Sequence, residues 1–363
     1  MATSADPLSP HGHYLDRFGA FLTDELSPYP GRTATVARTV VACVITMLLV
    51  MIFQLPNGFL AVFYALAISR LDPRTTVRHG FEIVLGNIAG LAIALAGMVL
   101  FIDHPLLHFL WVITSCFLAF FVARTVVNYA TAFGFGIILI AATSVNIIWM
   151  RPDQPWPDVE TTVWTAFGIV LGSIATVLTE WIFAFHGHVP EAPANPPRMF
   201  VDDAFSNPEY VSFALKGCLA ATICYVVWSA IDWPGLGVCT VTCLIAAPLG
   251  IPGSSRQRLT TRLAGLITGG VICGIGSQMF VLPSLDSIVG FTLLFAVVSA
   301  VAAWFVTSSR RLNYFGRQMA LAYYLTMFQG FGASTSLGTS RDRLMGILLG
   351  LLVMWLVFDV DWK

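Results

Sequence analysis

Arg38 and Lys216 are separated by 178 residues, and each follows by some eight residues a proline, Pro30 or Pro208, that opens an apolar run. A cation about two turns inside a membrane helix either snorkels to the headgroups or faces a polar path, where it attracts anions. Two cations at equivalent places are expected to share an axial position. Arg317, inside RRLNYFGRQMALAYY, is a third candidate for the path, or an anchor at the inner interface. Glu82 and Glu180 have apolar neighbours on both sides. Burial favours the neutral form of a carboxyl, so these two are the candidates for reversible protonation and proton coupling, unless they sit at the interface in water. Phe59, Phe63 and Tyr64 either line a pocket for an aromatic substrate or pack in the core and against lipid.

Other chemistry is sparse. No P-loop, HExxH or GxSxG occurs, so neither a nucleotide-driven pump nor a hydrolase is indicated, and the chain is expected to be no enzyme and to need no cofactor or metal. The seven cysteines all fall in apolar runs. Cys239 and Cys243 have helical i, i+4 spacing, which suits a shared metal, but Cys behaves as a small hydrophobe in cores and that is the expected role. The pairs His11/His13 and His186/His188 lie in polar stretches and are read as solvated.

The elements that must hold these residues are membrane helices. Of 363 residues, 57% are hydrophobic and only 11% charged, against about 25% charged in soluble domains. The expected fold class is all-α, a polytopic membrane protein with about twelve transmembrane helices. The apolar runs lie near 35–53, 57–69, 81–102, 106–123, 129–149, 162–185, 211–231, 235–250, 263–282, 287–307, 315–332 and 344–360. With the N-terminus inside, 16 of the 19 basic residues face inward, and Arg151, Arg341 and Arg343 face outward. Both termini are therefore expected in the cytoplasm. The polar stretch 1–33 lacks an apolar core and does not read as a signal peptide.

The two halves of the chain echo each other. Pro56 and Pro234 are 178 apart, as are Arg38 and Lys216, Arg78 and Arg256, Gly168 and Gly346, and Gly172 and Gly350. Gly86-xxx-Gly90 matches Gly265-xxx-Gly269 after a one-residue shift, and such pairs are expected to let helices approach closely. The reading is a six-helix repeat at 34–186, a proline-rich cytoplasmic crossover at 187–207 and a second six-helix repeat at 208–363, both in the same orientation. The second and eighth spans are short, begin at Pro56 and Pro234, and occupy corresponding places. Shortened helices of this kind can expose backbone groups to a ligand and mark a transport site; the alternative is a tight hairpin.

The duplicated unit, the DWPG turn, SSRQRLTTRLAGLITGG and RDRLMGILLG resemble the fusaric acid resistance and aromatic acid exporter family. The crossover PPRMFVDDAFSNPEYVSFALK is similar to that of its multidrug resistance branch, and the plant aluminium-activated malate transporters are more distantly similar. The resemblance implies efflux of aromatic acids or drugs across a bacterial inner membrane, driven by protons. It also implies a periplasmic membrane-fusion adaptor and an outer-membrane channel. Relatives often continue into a soluble cytoplasmic region, so a chain ending at Lys363 is expected to be either truncated or a naturally short form.

The expected function is proton-coupled efflux of small aromatic or amphipathic organic acids. The alternatives are a passive organic-anion channel and a membrane scaffold that transports nothing; a homo-oligomer is compatible with each.

Overall fold

The computed structural model describes residues 25–69, 73–101, 103–144, 156–183, 199–247, 255–329 and 332–359. Twelve helices follow one another among them: α1 Arg32–Ile52, α2 Gly58–Ile68, α3 Pro73–Phe101, α4 Pro105–Thr125, α5 Tyr129–Ser144, α6 Trp156–Phe183, α7 Pro208–Ile231, α8 Val238–Ala246, α9 from Ser255–Gly265 onward, α10 Ile288–Val306, α11 Arg310–Met327 and α12 Leu337–Asp359. The only strands among the described residues are two-residue pieces, Phe328–Gln329 and Gly332–Ala333, paired antiparallel. Among the described residues seven helices are long and apolar enough to cross a membrane, and three shorter apolar ones accompany them. The chain is thus an all-α polytopic membrane protein. Lipid-facing stripes confirm the environment: Phe81, Leu85 and Ile88 lie on one exposed face of α3, and Val289, Leu293 and Val297 on one of α10.

Several helices begin well before their apolar windows, at 73, 156, 255, 310 and 337. Their first turns carry charged and polar residues, such as RQRLTTR in α9, which hydropathy discounts but helix formation does not. The helix α9 departs from expectation in another way. It continues past Gly265 as a π-helix through Leu266–Ile275 and Ser277–Val281, whereas the corresponding α3 is α-helical throughout.

Packing pairs recur in matched sets. The contacts of α2 on α6, α3 on α5, α4 on α5 and α1 on α6 have counterparts in α8 on α12, α9 on α11, α10 on α11 and α7 on α12. Between the halves, α4 packs on α7 as α10 does on α1, and α2 packs on α11 as α5 does on α8. The turns entering the short helices match too. Gln54 and Asp232, 178 apart, both adopt the left-handed region, at φ 51° and 53°. Each stands two residues before a proline, at the point where the preceding helix stops, and the proline disfavours helix in the residue between.

Glycine makes the tightest crossings possible. A Cβ on Gly90 would lie 2.5 Å from the Phe135 carbonyl oxygen, and one on Gly86 would strike that of Thr131. In the second half a Cβ on Gly265 would lie 2.7 Å from Gln318 Cβ, and one on Gly269 would strike the Met319 carbonyl. Likewise Gly172 rests on the Ala61 carbonyl and Gly350 on that of Cys239, each at 2.7 Å from a would-be Cβ. These are contacts with backbone carbonyls, or at Gly265 with a Cβ, that no rotamer change relieves. The cysteines are packed as expected: six of the seven are buried and all are free. Cys224 and Cys243 lie sulfur to sulfur at 3.5 Å. The histidine pairs at 11/13 and 186/188 lie outside the described residues, as does most of the crossover; its end, at Phe200 and Val201, pairs with the backbone at Thr125 and Val126.

Gly90→Val and Gly269→Val should each lower the melting temperature of the detergent-purified protein, by at least the ~1–3 kcal/mol typical of overpacking. Gly338→Val, where nothing lies within 4 Å of a would-be Cβ, should shift it by no more than the ordinary surface range of about 0.5 kcal/mol.

Candidate functional site

The short helices set the geometry. At about 1.5 Å per residue, α2 is roughly 16 Å long and α8 shorter still. Their ends therefore lie within the membrane thickness, and spaces open at both ends of α2. One cavity, of about 160 Å³, lies between the halves. It is lined at the start of α2 by Asn57, Phe59 and Leu60, along α8 by Val238, Val241, Thr242 and Ile245, and from α12 by Arg343 and Ile347. We term it the outer cavity, and the one at the opposite end of α2 the inner cavity, after the orientation expected from the charge bias. A second, of about 470 Å³, opens at the opposite end of α2 and is lined by Leu66, Ser69, Thr35, Thr39, Asn313 and Arg317 among others. The two share no lining residue among those described. The helical spacing Phe59, Phe63, Leu66 places Phe63 between them on one face of α2.

Arg343 is the cation of the outer cavity. Its Nη1 donates to the carbonyls of Leu325 and Phe328, both at 2.9 Å, at the C-terminal end of α11. Its guanidinium lies 5.7 Å from the centre of the Phe59 ring. Carbonyls at a helix end lack partners inside the helix and carry partial negative charge, which accounts for an arginine being held there. No carboxylate is within ion-pair reach of it among the described residues. Sequence reasoning assigned Arg343 to an outer loop and missed it. The available signal was its 178-residue offset from Thr165, which also lines the cavity and accepts a hydrogen bond from Asn57 Nδ2 at 3.0 Å.

Arg38 does not face a path shared with Lys216. It is paired with Glu180: Nε lies 2.8 Å from Oε2, with the side chains 14% and 1% exposed. Ser69, which terminates α2, donates to the other Glu180 oxygen at 2.8 Å and is bonded to Thr39 at 2.7 Å. Arg38 Nη2 also reaches Thr35 Oγ1 at 3.2 Å. Thr35, Thr39 and Ser69 line the inner cavity, so this ion pair sits just behind its wall. At the matching positions 178 residues on stand Phe213, Lys216, Gly217, Ala247 and Phe358. Phe213 and Phe358 pack edge to face with centres 5.5 Å apart, in the places of Thr35 and Glu180. The helices match while the chemistry does not, and Lys216 is half-buried with no counterpart of Glu180 beside it.

The other expected residues separate. Arg317 lines the inner cavity. Phe59 lines the outer one, but Phe63 and Tyr64 are buried and pack on Phe133 at 6.3 and 5.7 Å between ring centres, with Tyr64 Oη 3.5 Å from the Phe133 carbonyl. Glu82 is bound to Arg78 at 2.7 Å and lies 3.3 Å from His79, all three on α3, with Arg78 65% exposed. It does not join Glu180. Pro56 ends the turn before α2, and Pro234 opens a 3₁₀ turn, Pro234–Gly237, that leads into α8.

Residues 41–179 match the family described as fusaric acid resistance protein-like. Multidrug resistance protein MdtO of Shigella flexneri is 36% identical over 176 residues, which is 48% of this chain and 26% of that protein. The protein of the same name from Escherichia coli O6:H1 (strain CFT073) is 34% identical over 211 residues, 58% of this chain and 30% of that protein. That from Escherichia coli K12 is 35% identical over 176 residues, 48% of this chain and 26% of that protein. The chain thus spans under a third of the length of these relatives. No solved structure matches the chain.

Removing one partner of a buried ion pair strands the other. Glu180→Ala and Arg38→Ala should each destabilise the purified protein by about 3–5 kcal/mol. The double variant Arg38→Ala with Glu180→Ala should lose less than the two losses added together. Thermal melts of the four proteins in one detergent check the cycle; strict additivity would show that the two side chains do not interact.

Proposed function

Taking residues 41–179 as a member of the fusaric acid resistance protein-like family, we propose that the chain is the membrane part of an efflux transporter. Its substrates are small aromatic or amphipathic organic acids, and efflux is coupled to proton entry. The outer cavity carries this reading. It is mostly apolar, it lies between the halves, and it holds a guanidinium beside an aromatic ring. A carboxylate docks on Arg343 while the flat body of the acid lies against Phe59, Leu60 and Val238. Arginine suits this role, because it stays charged when half-buried and can offer two parallel donors.

Glu180 supplies the proton step. When ionised it is bound to Arg38 and Ser69, which ties α6 to α1 and to the end of α2. Protonation removes its charge and weakens the bond to Arg38, and the inner end of α2 is released. Because α2 separates the two cavities, its release changes which of them is open. The twelve helices act as two six-helix units, 34–186 and 208–363, joined by the crossover 187–207. The protein sits in a bacterial inner membrane with both termini in the cytoplasm. A periplasmic adaptor of the membrane-fusion type and an outer-membrane channel complete the route in the cell; the multidrug resistance name of the relatives supports efflux itself.

Proteoliposomes of the full chain, with benzoate as the smallest aromatic carboxylate, test the proposal. An imposed pH gradient should drive benzoate accumulation, and Glu180→Gln should abolish that dependence while benzoate–benzoate exchange at equal pH persists. Benzoate movement that follows voltage and ignores the gradient would establish the passive anion channel instead. Arg343→Ala should raise the half-saturating benzoate concentration by about tenfold or more, as expected for a charged hydrogen bond of roughly 1.5–3 kcal/mol, and Arg343→Lys should recover part of it. An unchanged value in Arg343→Ala would remove Arg343 from the binding site.

A further inference from the structure

Beside the outer cavity, along α8, lies a neck of about 10 Å³, which is about the room one water needs. The neck and the outer cavity share Thr242, Ile245, Leu321 and Ile347, so the two spaces adjoin. The far end of the neck is lined by Arg262 and Gln318. Arg262 is buried, its Nη2 lies 3.4 Å from the Ile245 carbonyl, and its guanidinium lies 5.1 Å from the centre of the Tyr314 ring. This repeats the setting of Arg343, which also donates to helix-end carbonyls beside an aromatic ring. An arginine therefore stands at each end of the space along α8, one at its outer and one at its inner limit.

The first half offers no such line. The inner cavity beside α2 shares no lining residue with the outer cavity among those described, and the turn of α2 carrying Phe63 and Tyr64 fills the interval. Arg317 of α11 lines that cavity, and Arg38, the cation behind its wall, is paired with Glu180.

We propose that the organic anion crosses through the second half, along α8 from Arg262 to Arg343, with Leu321 as the constriction between them. The first half, with Arg38, Glu180 and Ser69, then serves the driving ion and not the substrate. The two halves share a backbone plan and divide the labour. This inference rests on the efflux reading above and assigns its route. Leu321 is suited to the constriction because it lines both spaces and is followed at i+4 by Leu325, which lines the outer cavity. An anion passing it exchanges Arg262 for Arg343 without meeting a carboxylate on the described walls of either space.

Benzoate–benzoate exchange at equal pH, measured on the full chain in proteoliposomes, tests the route. Leu321→Trp should cut the exchange rate at least tenfold, and Leu321→Ala should raise it several-fold; misfolding cannot produce both signs. Arg262→Gln should lower exchange at least fivefold, and Arg262→Lys should retain most of it. Thr75→Trp, which fills the inner cavity beside α2, should change exchange by less than twofold. Exchange that is blocked by Thr75→Trp and indifferent to both Leu321 variants would overturn the route and move it to the first half. A wild-type chain that exchanges no benzoate would instead bring down the efflux reading on which the route rests.

Discussion

Helices α2 and α8 are too short to cross a bilayer, and the rest of the molecule is arranged around that constraint. A helix that ends within the membrane leaves carbonyls and amides where lipid cannot hydrogen-bond them. Protein must do so, and it also binds the side chains at these ends. At the start of α2 the Asn57 side-chain amide donates to Thr165 Oγ1. At its end the Ser69 hydroxyl donates to Glu180 and is bonded to Thr39. At the end of α8 the carbonyl of Ile245 is met by Arg262. The longer neighbours bring these groups, and the glycine crossings let the neighbours come close enough to deliver them. Cavities appear at the same places because a helix that stops early leaves space above or below it.

Arginine is the recurrent answer to buried helix ends in this chain. Arg343 serves the end of α11 and Arg262 that of α8. Arg32 serves the end of α10, where Nη2 lies 2.6 Å from the Trp304 carbonyl and the guanidinium lies 4.3 Å from the Trp304 ring. At Arg343 no carboxylate is within ion-pair reach among the described residues, so its charge faces the partial negative charges of helix-end carbonyls.

Much of the architecture was legible in the sequence because it is written locally. Apolar windows mark helices, Gln54-Leu55-Pro56 and Asp232-Trp233-Pro234 mark matched turns, and Gly86-xxx-Gly90 and Gly265-xxx-Gly269 mark close crossings. The side-chain chemistry was less legible because it is made by contacts distant in sequence. Arg38 and Glu180 are 142 residues apart, and no periodicity joins them. The symmetry argument that paired Arg38 with Lys216 was misleading, since it transfers backbone positions and not partners. Arg343 was hidden by a rule that sorts charges into loops, although it stands in the second turn of α12. The π-helical stretch of α9 has no plain signature beyond its glycines, which α3 also has.

The comparison between the halves bears on why the Arg38–Glu180 pair exists. A buried ion pair is weak evidence for stability, because desolvation of the charges offsets much of their attraction, and apolar replacements often serve as well. The second half contains that replacement: Phe213 and Phe358 occupy the places of Thr35 and Glu180 and pack edge to face. The same helices, α7 against α12, come together there without any buried carboxylate. Packing therefore does not require Glu180, and its presence in the first half must be accounted for by what a carboxylate can do that a phenyl ring cannot. It can accept and release a proton, and it stands at the end of a helix that separates two cavities, which is the place the proposed proton step requires.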